Sequence, residues 1–182
     1  ISLINNLNDI RELWSCEYPV SLGLFYSAIT DFLGFQVNEG EFKVMGLSAY
    51  GNEESKLSKS VSDLLNWDNE NKKVILDMDY FDYHISLENS YSNKMRNLLG
   101  EPRNPFIPLK PEDKNFQKFA DIAKGAQIAT TRLLIKIFEH AYQLTGCREF
   151  LFSGGVAMNS ASLEQLAELQ FVDNIFQRYR FY

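Results

Sequence analysis

Two stretches of this chain bring together residue types that do chemistry. The first is Phe150-Leu-Phe-Ser-Gly-Gly-Val-Ala-Met-Asn159. An apolar run enters Gly154-Gly155 and leaves as a helix-forming segment. Glycines let a ligand come close to the backbone, because no Cβ stands in the way. A helix N-terminus just beyond offers free N–H groups and the positive end of a dipole to an anion. Asn159 falls one turn in, where its carboxamide can reach a ribose or a base. A strand-to-helix corner can also be purely structural, and this motif alone does not decide between the two. The second stretch is Gly40-Glu-Phe-Lys-Val-Met-Gly-Leu-Ser-Ala-Tyr-Gly51. Glu41 is suited to accept from sugar hydroxyls. Lys43 is suited to neutralise a phosphate or a carbamoyl oxygen as a point charge. Both would serve equally as solvated turn charges.

Other chemistries lack their residues. The two histidines, His84 and His140, are far apart in sequence, and so are the two cysteines, Cys16 and Cys147. Neither pair gives a metal-ligand spacing, so no metal site is expected within the chain. Ser153 and Cys147 have no base at a telling position, so a nucleophile cannot be argued. The 18 basic residues are scattered and the net charge is −6, a distribution that points away from nucleic acid. No run approaches the roughly 18 apolar residues of a membrane helix. The start, Ile1-Ser-Leu-Ile-Asn-Asn, has no secretory features. A cytoplasmic protein with reduced thiols is expected. With 45% hydrophobic residues, 14 Phe and 9 Tyr, the chain can bury a sizeable core.

The elements that must hold these motifs follow from periodicity. Leu22, Phe25, Tyr26, Ile29, Phe32 and Leu33 recur at helical steps. They predict a helix over 22–35, with Ser21 as N-cap and Gly34 at its end. A short helix over 42–47 is expected to stop at Gly46. A more polar helix is predicted over 53–67. A strand over 72–77 is expected to pair with one over 80–86, so that 52–100 forms a small helix-plus-hairpin insertion. Residues 91–99 read as helix. Four prolines between Gly100 and Pro111 make 101–112 a stiff connector. The longest helix is predicted over 113–144, on the stripe Phe119, Ile122, Ala123, Ala126, Leu133, Ile137, Ala141 and Leu144. A short buried strand over 149–152 and a helix over 156–169 complete the run 113–175. The tail ends in Arg178-Tyr-Arg-Phe-Tyr182. Interleaved helices with few strands indicate α/β, helix-rich and partial rather than a complete doubly wound domain.

Four stretches, taken in order and at their spacing, resemble the nodulation-protein-U type O-carbamoyltransferases. They are Pro19–Phe35, Gly40–Gly51, Leu76–His84 and Ser153–Asn159. Gly100-Glu-Pro-Arg103 is similar to that family's connector. The similarity runs over nearly the whole chain, roughly 18–175. It implies a fragment of a domain like that of the threonylcarbamoyl-adenosine synthase, within the actin, sugar-kinase and heat-shock-ATPase superfold. It implies an ATP-dependent enzyme that moves a carbamoyl group from carbamoyl phosphate, through carbamoyl adenylate, to a hydroxyl of a small-molecule acceptor. Gly154, Gly155 and Asn159 would line the adenosine side. Glu41 and Lys43 would sit near ribose and phosphates. Ser21 and Gly23 would start the helix flanking the cleft. The resemblance places the ligands of a divalent metal, a His-x-x-x-His, before Ile1, and an adenylate-forming domain beyond Tyr182. The 182 residues are therefore expected to be inactive alone and to self-associate through uncovered apolar surface. The alternative is a nucleotide-binding or interaction module of the same superfold without catalysis. A sugar-kinase-like phosphotransferase is disfavoured, since no Asp stands in a general-base context.

Overall fold

A long helix organises the chain. In the computed structural model, which describes residues 1–6 and 8–178, α5 (Phe116–Thr145) runs for 30 residues. At about 1.5 Å per residue that is about 45 Å. Its apolar stripe is buried along Phe119, Ile122, Ala123, Ala126, Ala129 and Leu133. Against it pack α1 (Leu22–Phe32), α2 (Glu41–Ser48) and α3 (Lys56–Ser62). Phe25, Ile29, Phe32, Leu33 and Val44 bring fully buried side chains to this core. Each such side chain contributes on the order of 1.5–3 kcal/mol by leaving water.

The described strands form three two-stranded sheets. β1 (Ser2–Asn6) and β2 (Asp9–Glu12) make an antiparallel hairpin near the N-terminus. β3 (Leu65–Asp68) pairs antiparallel with β4 (Lys73–Leu76). β5 (Glu149–Ser153) pairs in parallel with β6 (Asn174–Arg178), and α6 (Ser160–Ala167) provides the crossover such a pair requires. A second apolar cluster, of Leu134, Phe138 and Leu166 with Phe150, Phe152 and Ile175, ties this unit to the end of α5. The architecture is mixed α/β.

Several expectations need correction. The helix predicted over 53–67 is α3 only as far as Ser62; Leu65–Asp68 is a strand and is the true partner of β4. Residues 80–86 form no strand: a 3₁₀ turn covers Met78–Tyr80, and Phe81 makes one bridge to Tyr91. Gly46 does not end α2, which continues through Ser48. The segment 52–100 contributes Val61, Leu64, Leu65, Leu76, Phe81, Met95 and Leu99 to the main core. Helix α4 (Asn93–Leu99) lies within the predicted 91–99. The strand at 149–153 alternates between exposed and half-buried residues rather than being buried. The stretch 156–169 divides into a 3₁₀ turn, Gly155–Met158, and α6. The expected tail lies outside the described residues beyond position 178. Strands are more numerous than expected, but each spans only 4–5 residues.

Candidate functional site

A cavity of about 510 Å³ opens between α1, α2 and the turn after β5. The wall from α1 holds Ser21, Gly23, Tyr26 and Ser27. Ser21 caps α1 because its backbone is extended and its Oγ accepts from the Leu24 N–H at 3.3 Å. Gly23 lies in the first turn, where an added Cβ would come within 3.9 Å of Val156 across the cleft. The wall from α2 holds Asn38, Glu41, Phe42 and Met45. Glu41 stands at the start of α2, where the helix dipole favours a carboxylate. Its Oε1 accepts from the Asn38 N–H at 2.9 Å and from Ser27 Oγ at 3.2 Å. One carboxylate oxygen therefore fixes α2 against α1, leaving acceptor capacity on the other.

The third wall is Gly155, Val156, Met158 and Asn159. Gly154 leaves β5 with φ of +104°, a conformation that L side chains rarely adopt. Nothing lies within 4 Å of a Cβ built on Gly154 or on Gly155, so the turn is open to a ligand. Asn159 caps α6, its Oδ1 accepting from the Ser162 N–H at 3.0 Å.

Beneath this wall lies a polar network. Asn159 and Gln127 of α5 form a reciprocal amide pair. Gln127 Nε2 donates to Asn159 Oδ1, and Asn159 Nδ2 donates to Gln127 Oε1, both at 3.0 Å. The buried Tyr26 hydroxyl donates to the same Gln127 Oε1 at 3.1 Å. Ser162 and Thr131 complete the set, their hydroxyls 2.7 Å apart and each within 3.2 Å of Gln127 Nε2. Burial, with the Glu41 charge nearby, pushes the Tyr26 phenol well above its usual range, and hydrogen bonding with Asn159 opposes part of that rise. Tyr26 is thus held protonated as a donor.

Of the seven candidate residues, Ser21, Gly23, Glu41, Gly155 and Asn159 line this one cavity. Gly154 is the hinge beside it. Lys43 does not line it: it is exposed on α2, its Nζ about 5.9 Å from the Phe35 ring and 5.8 Å from the Phe42 ring. Tyr26 and Gln127 were overlooked, Tyr26 because it falls within an apolar stripe and reads as core, Gln127 because it stands beside the α5 stripe with no motif around it. A glutamine on the buried side of an apolar stripe was the available signal, since it must find partners there. A larger depression, about 890 Å³, meets the first at Ser21, Gly23, Leu24 and Val156 and runs along Leu133, Ile137, Phe138, Leu151 and the N-terminal hairpin. Its lining is mainly apolar and offers no comparable set of converging polar groups.

Residues 2–177 match the family described as Carbamoyltransferase N-terminus. The chain belongs to this carbamoyltransferase N-terminal family. It is 35% identical over 152 residues to an uncharacterized protein of Synechocystis sp., covering 84% of this chain and 23% of that protein. It is 26% identical over 171 residues to an uncharacterized protein of Methanocaldococcus jannaschii, covering 92% and 29%. It is 27% identical over 170 residues to the Nodulation protein NolNO of Sinorhizobium fredii, covering 92% and 22%. The chain thus spans about a quarter of the length of these relatives, and the carbamoyltransferase N-terminal match covers nearly all of it. Among the described residues, no group of three or more His, Cys, Asp or Glu side chains is placed to hold a metal ion. No described helix is long and apolar enough to cross a membrane.

Proposed function

We propose that this chain builds one wall of the nucleotide site of an ATP-dependent carbamoyltransferase. In the whole protein, a carbamoyl group would pass from carbamoyl phosphate, by way of carbamoyl adenylate, to a hydroxyl of a small acceptor, in a domain of the actin and sugar-kinase superfold. One observation carries this reading. Ser21 and Gly23, Glu41, and Gly155 and Asn159 come from three separated stretches and converge on a single cavity of about 510 Å³. The cavity's chemistry suits a nucleoside. Glu41 offers an acceptor to sugar hydroxyls, and the open Gly154-Gly155 turn admits a ligand against the backbone. The start of α1 adds free N–H groups at the mouth. The exposed Lys43 has no part in this wall, so phosphate neutralisation is assigned to groups outside it. The described residues also do not fit a metal site, and no metal-assisted step is assigned to them.

The chain by itself should bind nucleotide weakly and transfer nothing. Transition-state stabilisation needs preorganised donors facing the developing charge, in a site that excludes water. A single open wall supplies neither. The test is isothermal titration with ATP, followed by incubation with labelled carbamoyl phosphate, ATP and a divalent metal. The expected result is saturable ATP binding, weakened about tenfold by Glu41→Gln through loss of a charge-assisted acceptor, with no carbamoyl adenylate formed. Absence of any ATP binding refutes the nucleotide wall. Turnover that disappears on Asn159→Ala refutes the inactivity of the chain alone.

A further inference from the structure

We infer that the cavity takes the nucleoside end of the nucleotide, with the base held by its face against Phe42 and Met158 and the phosphates turned outward. Phe42 stands on α2 and Met158 on the 3₁₀ turn after β5, so the two reach the cavity from different walls. Met45, also in the lining, ties those walls together, its Sδ accepting from Ser160 Oγ of α6 at 3.5 Å. Phe42 is 65% exposed and Met158 61%, and neither belongs to an apolar cluster of the fold. One exposed apolar side chain needs no explanation. Two on facing elements of one cavity offer apolar surface to a flat ligand. A nucleobase is such a ligand, since it stacks on an aromatic ring and packs well against a polarisable thioether.

The polar lining favours the same mode. Several of its side chains are spent within the protein. Ser21 Oγ accepts from the Leu24 N–H, and Ser27 Oγ donates to Glu41. The Asn159 carboxamide is taken up by the Ser162 N–H and by Gln127. Little remains to read the edge of a base, so its face carries the contact. The charges then decide which end of a nucleotide enters. Glu39 and Glu41 line the cavity, and among the described lining residues there is no Lys, Arg or His. Lys43 stands outside that lining, its Nζ 5.8 Å from the Phe42 ring. Phosphates drawn inside would meet two carboxylates without a counter-charge, and like charges repel more strongly as water leaves a site. A nucleoside is neutral at pH 7, and its hydroxyls can donate to a carboxylate.

This inference rests on the nucleotide reading given above, and one experiment separates the two. Adenosine, ATP and inorganic tripolyphosphate are titrated calorimetrically into the full chain as wild type, Phe42→Ala and Met158→Ala. Thermal melting checks folding, and substitutions at such exposed positions should leave it unchanged. Wild type should bind adenosine at least as tightly as ATP and should not bind tripolyphosphate. Phe42→Ala should weaken adenosine and ATP alike by roughly fivefold or more, as loss of a base–aromatic contact does. Met158→Ala should weaken both roughly two- to tenfold. Either variant binding adenosine like wild type, ATP binding more tightly than adenosine, or saturable binding of tripolyphosphate overturns the inference and leaves the nucleotide wall standing. A wild type that binds neither adenosine nor ATP overturns both. Should Phe42→Ala fail to fold, Phe42→Leu, which keeps apolar volume and loses the aromatic face, decides in its place: it must weaken adenosine and ATP by the same factor.

Discussion

Replacing Gly125 by alanine should destabilise the chain, although helix propensity alone predicts the opposite. Gly125 lies inside α5, where alanine is favoured over glycine by about 1 kcal/mol. It also lies where α3 presses closest. A Cβ at Gly125 would meet the Ser58 carbonyl oxygen at clashing distance, Val61 Cβ at 2.8 Å and Ser58 Cα at 2.9 Å. These are backbone and Cβ atoms, which cannot swing aside. Nor can α3 slide away freely. Ser58 Oγ donates to the Asn52 carbonyl at 2.6 Å and to the Asp121 carbonyl at 2.8 Å, the latter one turn before Gly125 on α5. Overpacking a tight contact costs about 1–3 kcal/mol. A clash with fixed atoms belongs in the upper part of that range, so the net destabilisation is about 1–2 kcal/mol. Gly46 is the control. It sits inside α2 with nothing within 4 Å of an added Cβ, so Gly46→Ala should stabilise by about 0.5–1 kcal/mol. Urea denaturation of both variants beside wild type measures the two shifts. If Gly125→Ala unfolds at the same or higher urea, or if both substitutions move stability in one direction, the account of the α3–α5 contact is refuted.

Two further predictions concern pH and association. His140 is buried against Trp14 and Trp67, with Nδ1 lacking a hydrogen-bond partner among the described residues. Burial first, and then the Lys72 charge, hold its pKa below the ordinary 6.5. Below about pH 6.5 the unfolded chain takes up the proton first, so stability falls as pH falls through that value toward the lower folded pKa. Stability measured from pH 7.5 to about 5 should therefore drop less steeply in His140→Phe than in wild type; equal slopes would show that His140 is not held neutral. Strand β5 is paired only with β6 among the described residues, and Leu151 is 53% exposed beside the apolar depression. We expect concentration-dependent self-association that Leu151→Lys reduces, because a charge on an open strand discourages pairing. A monodisperse wild-type monomer by light scattering at high concentration would contradict this.

What the sequence reveals about this chain depends on how local each determinant is. Helices α1 and α5 were legible within about three residues at each end, because their stripes repeat over several turns and decide burial by themselves. The β3–β4 hairpin was misread although its turn is local. Asp68 Oδ1 accepts from the Glu70 and Asn71 N–H groups and Lys72 takes φ of +53°, the work of an Asx turn between two four-residue strands. Reading Leu65–Trp67 as the end of a helix concealed it. Gly46 misled in the other direction: an exposed glycine weakens a helix without ending it when no competing turn follows. The β5–β6 pair joins positions 25 residues apart, and periodicity carries no record of such a partner. The candidate site divides along the same line. Glu41 and Asn159 stood out because glycine-rich motifs surround them. Tyr26 and Gln127 are 101 positions apart and meet only after α1 and α5 have packed. Yet Gln127 was not silent. A carboxamide beside Ala126, one turn on from Ala123 on the buried face of α5, would cost several times a hydrogen bond's net worth if left unpaired. Its presence there requires partners on the facing elements, and only the fold could say that one of them is the asparagine of the Gly-Gly motif.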